Sequence, residues 1–173
     1  YVGNNGAGQA LDKILPKAVK DLEKEYEFIV IGNGSHQKKL KKNIVNMQIK
    51  NINLIGAIER SRVLEYYRDA DILFLHLNNI DSFKRVLPSK IFEYIAVSKP
   101  IIAGLPKGFA TDFIQSNVSH CIFFESCNPS DFIKKLKLIS SIKINKNEIC
   151  EFKKKYSRNN IMKNMSKDII SKI

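Results

Sequence analysis

The sequence predicts an α/β fold, a Rossmann-like three-layer α/β/α domain built on a parallel sheet. Apolar runs of strand length alternate with amphipathic helical stretches at least five times, the pattern of parallel strands joined by crossover helices. The run DILFLHL (Asp71–Leu77) is apolar almost throughout, as in a strand covered on both faces. With 173 residues, of which 44% are hydrophobic and 27% charged, the chain can bury one full core. No internal repeat, low-complexity tract or linker interrupts residues 1–173, so a single domain is expected.

Taken in order, Tyr1–Gly3 reads as the end of a strand, and the chain as a piece of something longer. A helix follows from about Gly8 to Lys24, with Leu11, Ile14, Leu15, Ala18 and Leu22 on one face; Pro16 is expected to bend it. EFIVIGNG (Glu27–Gly34) is a strand ending in a glycine-rich turn, Ser35–Met47 a short helix, and Asn51–Ile58 a second strand. SRVLEYYRDA (Ser61–Ala70) is a helix with Ser61 as N-cap and Val63, Leu64 and Tyr67 facing inward. After Asp71–Leu77 comes a polar loop, Asn78–Val86.

LPSKIFEYIAVSKP (Leu87–Pro100) is the helix around which the rest is arranged. Pro88 suits a first helical turn, Ile91, Phe92, Ile95 and Ala96 form the buried stripe, and Pro100 stops the helix at Lys99. PIIAGL is the next strand, Lys107–Asn117 a short helix, HCIFFES the last strand, and two basic helices finish the chain.

Charge is unevenly spread. Lys and Arg number 29 against 17 Asp and Glu, a net +12, of which +8 lies beyond residue 128. This favours phosphorylated ligands, acidic lipid or nucleic acid as partners without choosing among them. Cys121, Cys127 and Cys150 form no metal or disulfide pattern, which fits a reducing cytoplasm. No apolar run approaches the ~18 residues of a membrane span, and no signal peptide is visible.

In such sheets, ligands sit beyond the carboxyl ends of the strands. That rim carries the turns Gly3–Gly8, Gly32–Gly34, Gly56–Arg60, His76–Val86 and Gly104–Lys107, and the helix start at Pro88–Lys90. Lys90 and Glu93 project one turn apart near a helix N-terminus that attracts anions, a place for a phosphate and sugar hydroxyls; a plain surface ion pair is the larger alternative. GNNGAG (Gly3, Gly6, Gly8) brings backbone N–H groups toward a diphosphate or is simply a tight turn. It is not the dinucleotide fingerprint, and no Walker lysine motif occurs, which disfavours nicotinamide, flavin and P-loop chemistry. His36, His76 and His120 are isolated, with a structural role favoured for His76 over a ligand contact. Tyr66–Tyr67 and Phe123–Phe124 read as core.

Four segments in register, YVGNNGAGQAL, FIVIGNGSHQKKLKK, NINLIGAIERSRVLEYYRDADILFLHL and LPSKIFEYIAVSKPIIAG, resemble the C-terminal, nucleotide-sugar-binding domain of GT-B glycosyltransferases. The likeness is to the large retaining group called family 4, among bacterial enzymes of surface-polysaccharide synthesis. It covers about Tyr1–Ser126. It implies that Gly3, Asn4, Asn5 and Gly6 face the diphosphate and cleft, and that Gly56, Ala57 and Ile58, with Glu59 and Arg60 beside them, hold the base. It further implies that Lys90 approaches the diphosphate and Glu93 accepts hydrogen bonds from the ribose hydroxyls, with Leu87, Pro88 and Ser89 also in the nucleotide-sugar site.

The resemblance has departures. Many members carry a second glutamate N-terminal to the one matching Glu93; here Arg85 takes that place. Asn4 and Gln9 stand near the positions of a diphosphate-clamping Arg and Lys, and Lys84, Arg85 and Lys90 are candidates to supply that charge. Implied function is sugar transfer from a nucleoside diphosphate, UDP being expected, to a lipid-linked or saccharide acceptor in lipopolysaccharide, capsule or O-antigen synthesis. No cofactor or metal is expected. The acceptor site would lie in an N-terminal domain outside this chain, leaving the piece alone inactive. The tail from Asn145 would run back across the domain junction, meet the anionic inner face of the membrane, or simply be solvated. A UDP-sugar epimerase with the same donor half and a basic nucleic-acid-binding domain are the alternatives; no RRM, OB or helix-turn-helix pattern supports the latter.

Overall fold

The computed structural model describes residues 1–170. Five strands, β1 (Phe28–Ile31), β2 (Ile52–Ile55), β3 (Leu73–His76), β4 (Ile101–Gly104) and β5 (Cys121–Phe124), alternate with helices α1 (Leu11–Asp21), α2 (Gln37–Asn46), α3 (Arg60–Asp69), α4 (Lys90–Val97) and α5 (Phe109–Gln115). The chain then runs through α6 (Pro129–Leu136), α7 (Lys146–Lys155) and α8 (Arg158–Ile170).

All strand pairs are parallel. The strands form two sheets, β1-β2 and β3-β4-β5, rather than the one expected. Between them lies the Tyr1–Val2 segment. Val2 makes a single parallel bridge to Ile31, and the Tyr1 ring packs edge-on against Phe74 of β3 at 6.4 Å. Val2 thus bridges to β1 while Tyr1 packs on β3, and among the described residues no strand ladder joins the two sheets.

Alternation along each strand sends side chains to opposite layers. Phe74 joins Leu11, Ile14, Leu15, Val30 and Phe132 in the core beneath α1, α2 and α6. Its neighbours Leu73 and Leu75 join Tyr67, Ile91, Tyr94, Ile95 and Phe152 in the core beneath α3, α4, α5 and α7. The three-layer α/β/α arrangement predicted from the sequence is therefore what the chain builds.

Several local expectations are corrected. Helix α1 starts at Leu11, not Gly8, because Gly6 accepts from both Gln9 and Ala10 in a tight turn and Ala10 is left-handed at φ 47°. Pro16 is buried within an uninterrupted helix. Ser61 is not the cap of α3: the helix begins one residue earlier after Glu59, and the Ser61 hydroxyl turns to the Glu59 carboxylate at 3.4 Å. Leu64 is exposed rather than facing inward. The polar loop contains a 3-10 helix, Asp81–Arg85. In α4, Pro88 precedes the N-cap Ser89, and Ser98 in the left-handed region ends the helix before Lys99. Tyr94, not Phe92 or Ala96, completes its buried face with Ile91 and Ile95.

The basic C-terminal part holds three helices, not two. Helix α7 is not a solvated strap. Its Ile149 and Phe152 are buried, and Phe152 lies 5.8 Å from Phe92 and 4.6 Å from Tyr156, ring centre to ring centre. The last residues of the expected tail, 171–173, lie outside the described residues. Among the described residues no helix is long and apolar enough to cross a membrane.

Candidate functional site

The loops after the strands interlock before any ligand is considered. Gly3 N–H donates to Ile31 O at 2.8 Å and Asn5 N–H to Asn33 O at 2.9 Å. A Cβ on Gly32, where φ is +123°, would strike the Gly3 carbonyl, and one on Gly34 would strike the Asn5 backbone. Glycine is required at Gly32 both for that approach and for its backbone angle. Asn5 is buried, with Nδ2 donating to Gly32 O at 3.0 Å. So the Gly3 and Asn5 amides and the Asn5 side-chain nitrogen hold two turns together, where the resemblance has them facing a ligand. Asn4 is exposed and Gly6 buried.

Lys90 and Glu93 do not pair with each other. Lys90 reaches back over the Tyr1 ring, Nζ 4.2 Å from its centroid, and a Cβ on Gly3 (φ +146°) would collide with that Nζ. The ammonium thus lies on the first glycine turn, and burial pulls its pKa down to about 8, against the opposing effect of Glu93. Glu93 points the other way. Its Oε2 accepts from Tyr67 Oη at 3.2 Å, and its Oε1 stands 3.9 Å from Arg60 Nη2, a side chain 95% exposed. The plain Lys90–Glu93 ion pair favoured from spacing is overturned, because each side chain follows an aromatic ring supplied by a remote segment.

Glu93, Arg60 and Tyr67 open onto a groove of about 600 Å³ between α3 and α4, lined also by Val97, Ser98 and Lys153. Gly56 and Ala57 are exposed and Ile58 half-buried at the turn leading into α3. Leu87 and Pro88 are half-buried, Ser89 is exposed, and Ser89 makes no side-chain cap. Arg85 is exposed. Lys84, by contrast, is engaged by Asp81 at 2.7 Å. A second cleft, about 690 Å³, lies beyond β4 and β5 and includes Lys84, Lys107 and Lys135.

Sequence reasoning placed Tyr67 in the core, and its ring is there, 3% exposed. Its hydroxyl at the Glu93 carboxylate was missed, since nothing local to residue 67 announces a partner on another helix. His76 has the structural role favoured for it: fully buried, it meets Gln9 O through Nδ1 at 2.7 Å and accepts from Cys127 N–H through Nε2 at 2.9 Å. His36 is not isolated; its Nδ1 lies 2.9 Å from buried Asp12, which Lys39 also reaches at 2.9 Å. Burial raises the Asp12 carboxyl, but Lys39 and His36 outweigh it and hold the group below its ordinary value.

Parallel strands between two helical layers, with glycine turns, a half-buried lysine and an exposed carboxylate near the start of α4, define a Rossmann-like domain. The chain belongs to the family described as glycosyl transferases group 1, which matches residues 7–160. It is 29% identical over 148 residues to an uncharacterized glycosyltransferase of Methanocaldococcus jannaschii, covering 83% of this chain and 40% of that protein. Among solved structures it is similar to Anabaena HepE in complex with UDP-glucose, with a TM-score of 0.77 and 14% identity over 98% of this chain and 48% of that one. It is also similar to the apo lipopolysaccharide outer core galactosyltransferase WaaB, with a TM-score of 0.71 and 17% identity over 100% of this chain and 48% of that one. The chain thus spans less than half the length of these proteins.

Proposed function

We propose that this domain is the donor-binding half of a glycosyltransferase that moves a sugar from a nucleoside diphosphate, UDP being the expected carrier, to a lipid-linked or saccharide acceptor. The observation that carries this reading is the divergence of Lys90 and Glu93 from one turn of α4. One group sits on the Gly3 turn, the other in a groove beside Arg60. A cation over a glycine turn and a carboxylate farther along the rim suit, respectively, a diphosphate and a vicinal diol.

In this reading Lys90, exposed Ser89 and the α4 N-terminus hold the diphosphate, Glu93 takes the ribose hydroxyls, and the Gly56–Ile58 turn with Arg60 takes the base. Arg85 stands where relatives carry a carboxylate and supplies positive charge in its place. As the glycosidic bond breaks, its electron pair leaves with the diphosphate oxygen. Lys90 and the helix dipole stabilise that charge without a metal ion. The sugar is transferred with retention. A preceding domain supplies the acceptor site, and the setting is lipopolysaccharide, capsule or O-antigen synthesis on the cytoplasmic side of the membrane. Support for the uracil base comes from the UDP-glucose complex of the similar HepE fold, and for the polysaccharide setting from WaaB.

Calorimetric titration of the chain with UDP, GDP and NAD, repeated on Glu93→Ala, tests the proposal. The expected result is UDP binding that weakens by about 1–3 kcal/mol on losing the charged hydrogen bonds. Binding of NAD in preference to either diphosphate, or indifference to Glu93→Ala, refutes it.

A further inference from the structure

The two oxygens of Glu93 are held unequally. Arg60, at Oε1, is a long exposed side chain at 3.9 Å. Tyr67, at Oε2, is anchored: its ring is buried and stands edge-on to Tyr94 at 5.1 Å, with planes 83° apart. The two tyrosine hydroxyls have separate duties. Tyr94 Oη donates to the Phe74 carbonyl at 3.1 Å and ties α4 to β3, whereas Tyr67 Oη donates to the acidic side chain that α4 contributes to the groove with Arg60.

A carboxylate offers about four acceptor positions, so one bond to Tyr67 leaves room for two further donors. Glu93 is 49% exposed, and without an anchor it would sample several rotamers and lose that freedom on binding. A diol requires both oxygens in one plane at one moment. Burial, then the charge of Glu93, push the Tyr67 phenol well above its ordinary pKa, so it remains a donor at any working pH.

We propose that Tyr67 is a positioning residue whose hydroxyl holds the Glu93 carboxylate ready for the ribose diol, and so makes the site prefer a ribonucleotide to its 2′-deoxy counterpart. The proposal rests on the donor-site reading above and adds the origin of its sugar selectivity. The competing role is a tether between α3 and α4 that would act whatever the ligand.

The test is calorimetry of the full chain with UDP and 2′-deoxy-UDP, comparing the unaltered protein, Tyr67→Phe, Glu93→Ala and the double variant. Tyr67→Phe keeps the buried ring and removes only the hydroxyl. It is expected to weaken UDP about two- to tenfold, the cost of ordering on binding a Glu93 side chain that Tyr67 no longer holds. It should leave 2′-deoxy-UDP nearly unchanged and add nothing in the Glu93→Ala background. Glu93→Asp, which withdraws the carboxylate from Tyr67 without touching the core, should contract the same ratio. Equal weakening of both nucleotides, or an unchanged ratio alongside a lowered unfolding midpoint, makes Tyr67 a tether and overturns the inference while the donor-site reading stands. If the unaltered chain binds neither nucleotide, the donor-site reading itself falls, and the inference with it.

Discussion

Replacing His76 with leucine removes a residue that joins three distant parts of the chain. Its ring lies parallel to Phe74 at 6.0 Å and to Phe124 at 5.8 Å, and leucine preserves that apolar filling. What leucine cannot supply are the bonds to Gln9 O and Cys127 N–H. Two backbone groups left without partners cost about 1–3 kcal/mol each, so the expected loss is about 3–4 kcal/mol. There is a second signature. Burial, more than nearby Lys13, depresses the His76 imidazole to about 4, against the opposing bond to Gln9.

An unfolded histidine titrates near pH 6.5. Between the two values the unfolded chain binds a proton that the folded chain refuses, so stability falls on acidification. Going from pH 7.5 to 5.0, His76 alone removes about 2 kcal/mol, a loss of stability that His76→Leu lacks. His120, likewise depressed by burial, is common to both proteins and cancels. Urea unfolding of both at the two pH values reads the two effects. A loss under about 1 kcal/mol at pH 7.5, or the same pH dependence in both proteins, refutes the reasoning.

Lys90, with its pKa near 8, should make UDP binding weaken as pH rises through that value, because the ammonium and not the amine attracts the diphosphate. Titrations from pH 6.5 to 9.5 should show about a tenfold decline that Lys90→Met abolishes; parallel curves for the two proteins would exclude a Lys90–diphosphate contact. Phe152→Ala empties a site packed against Phe92, Phe113 and Tyr156 and should cost about 3–5 kcal/mol in the same urea assay. A cost under about 1 kcal/mol would return α7 to the status of a surface helix.

The interlocked turns explain why the rim was legible while the partners of its amides were not. Gly3, Asn5, Gly32 and Gly34 were visible as glycine-rich punctuation after strands. Where their N–H groups point depends on how closely Tyr1–Gly3 runs beside β1, and Gly3 and Asn5 donate to Ile31 O and Asn33 O. Lys90 and Glu93 were likewise placed one turn apart near the start of a helix, where α4 has them. Their i, i+3 spacing permits an ion pair, but Tyr1 attracts one side chain and Tyr67 the other.

The sequence by itself determined the alternation of strand and helix, the parallel sense of the sheet, the rim on which the polar residues gather and the helix at their centre. Those features follow from the period of apolar residues and the backbone limits of glycine and proline, which act between covalent neighbours. Tertiary structure alone decided that Asp12 meets His36 and Lys39, that His76 joins Gln9 to Cys127, and that Tyr67 anchors Glu93. Each of these contacts joins groups from separate elements, and its geometry is set by how whole helices pack on the sheet. A buried polar group must find a partner, but packing across the sheet determines which one.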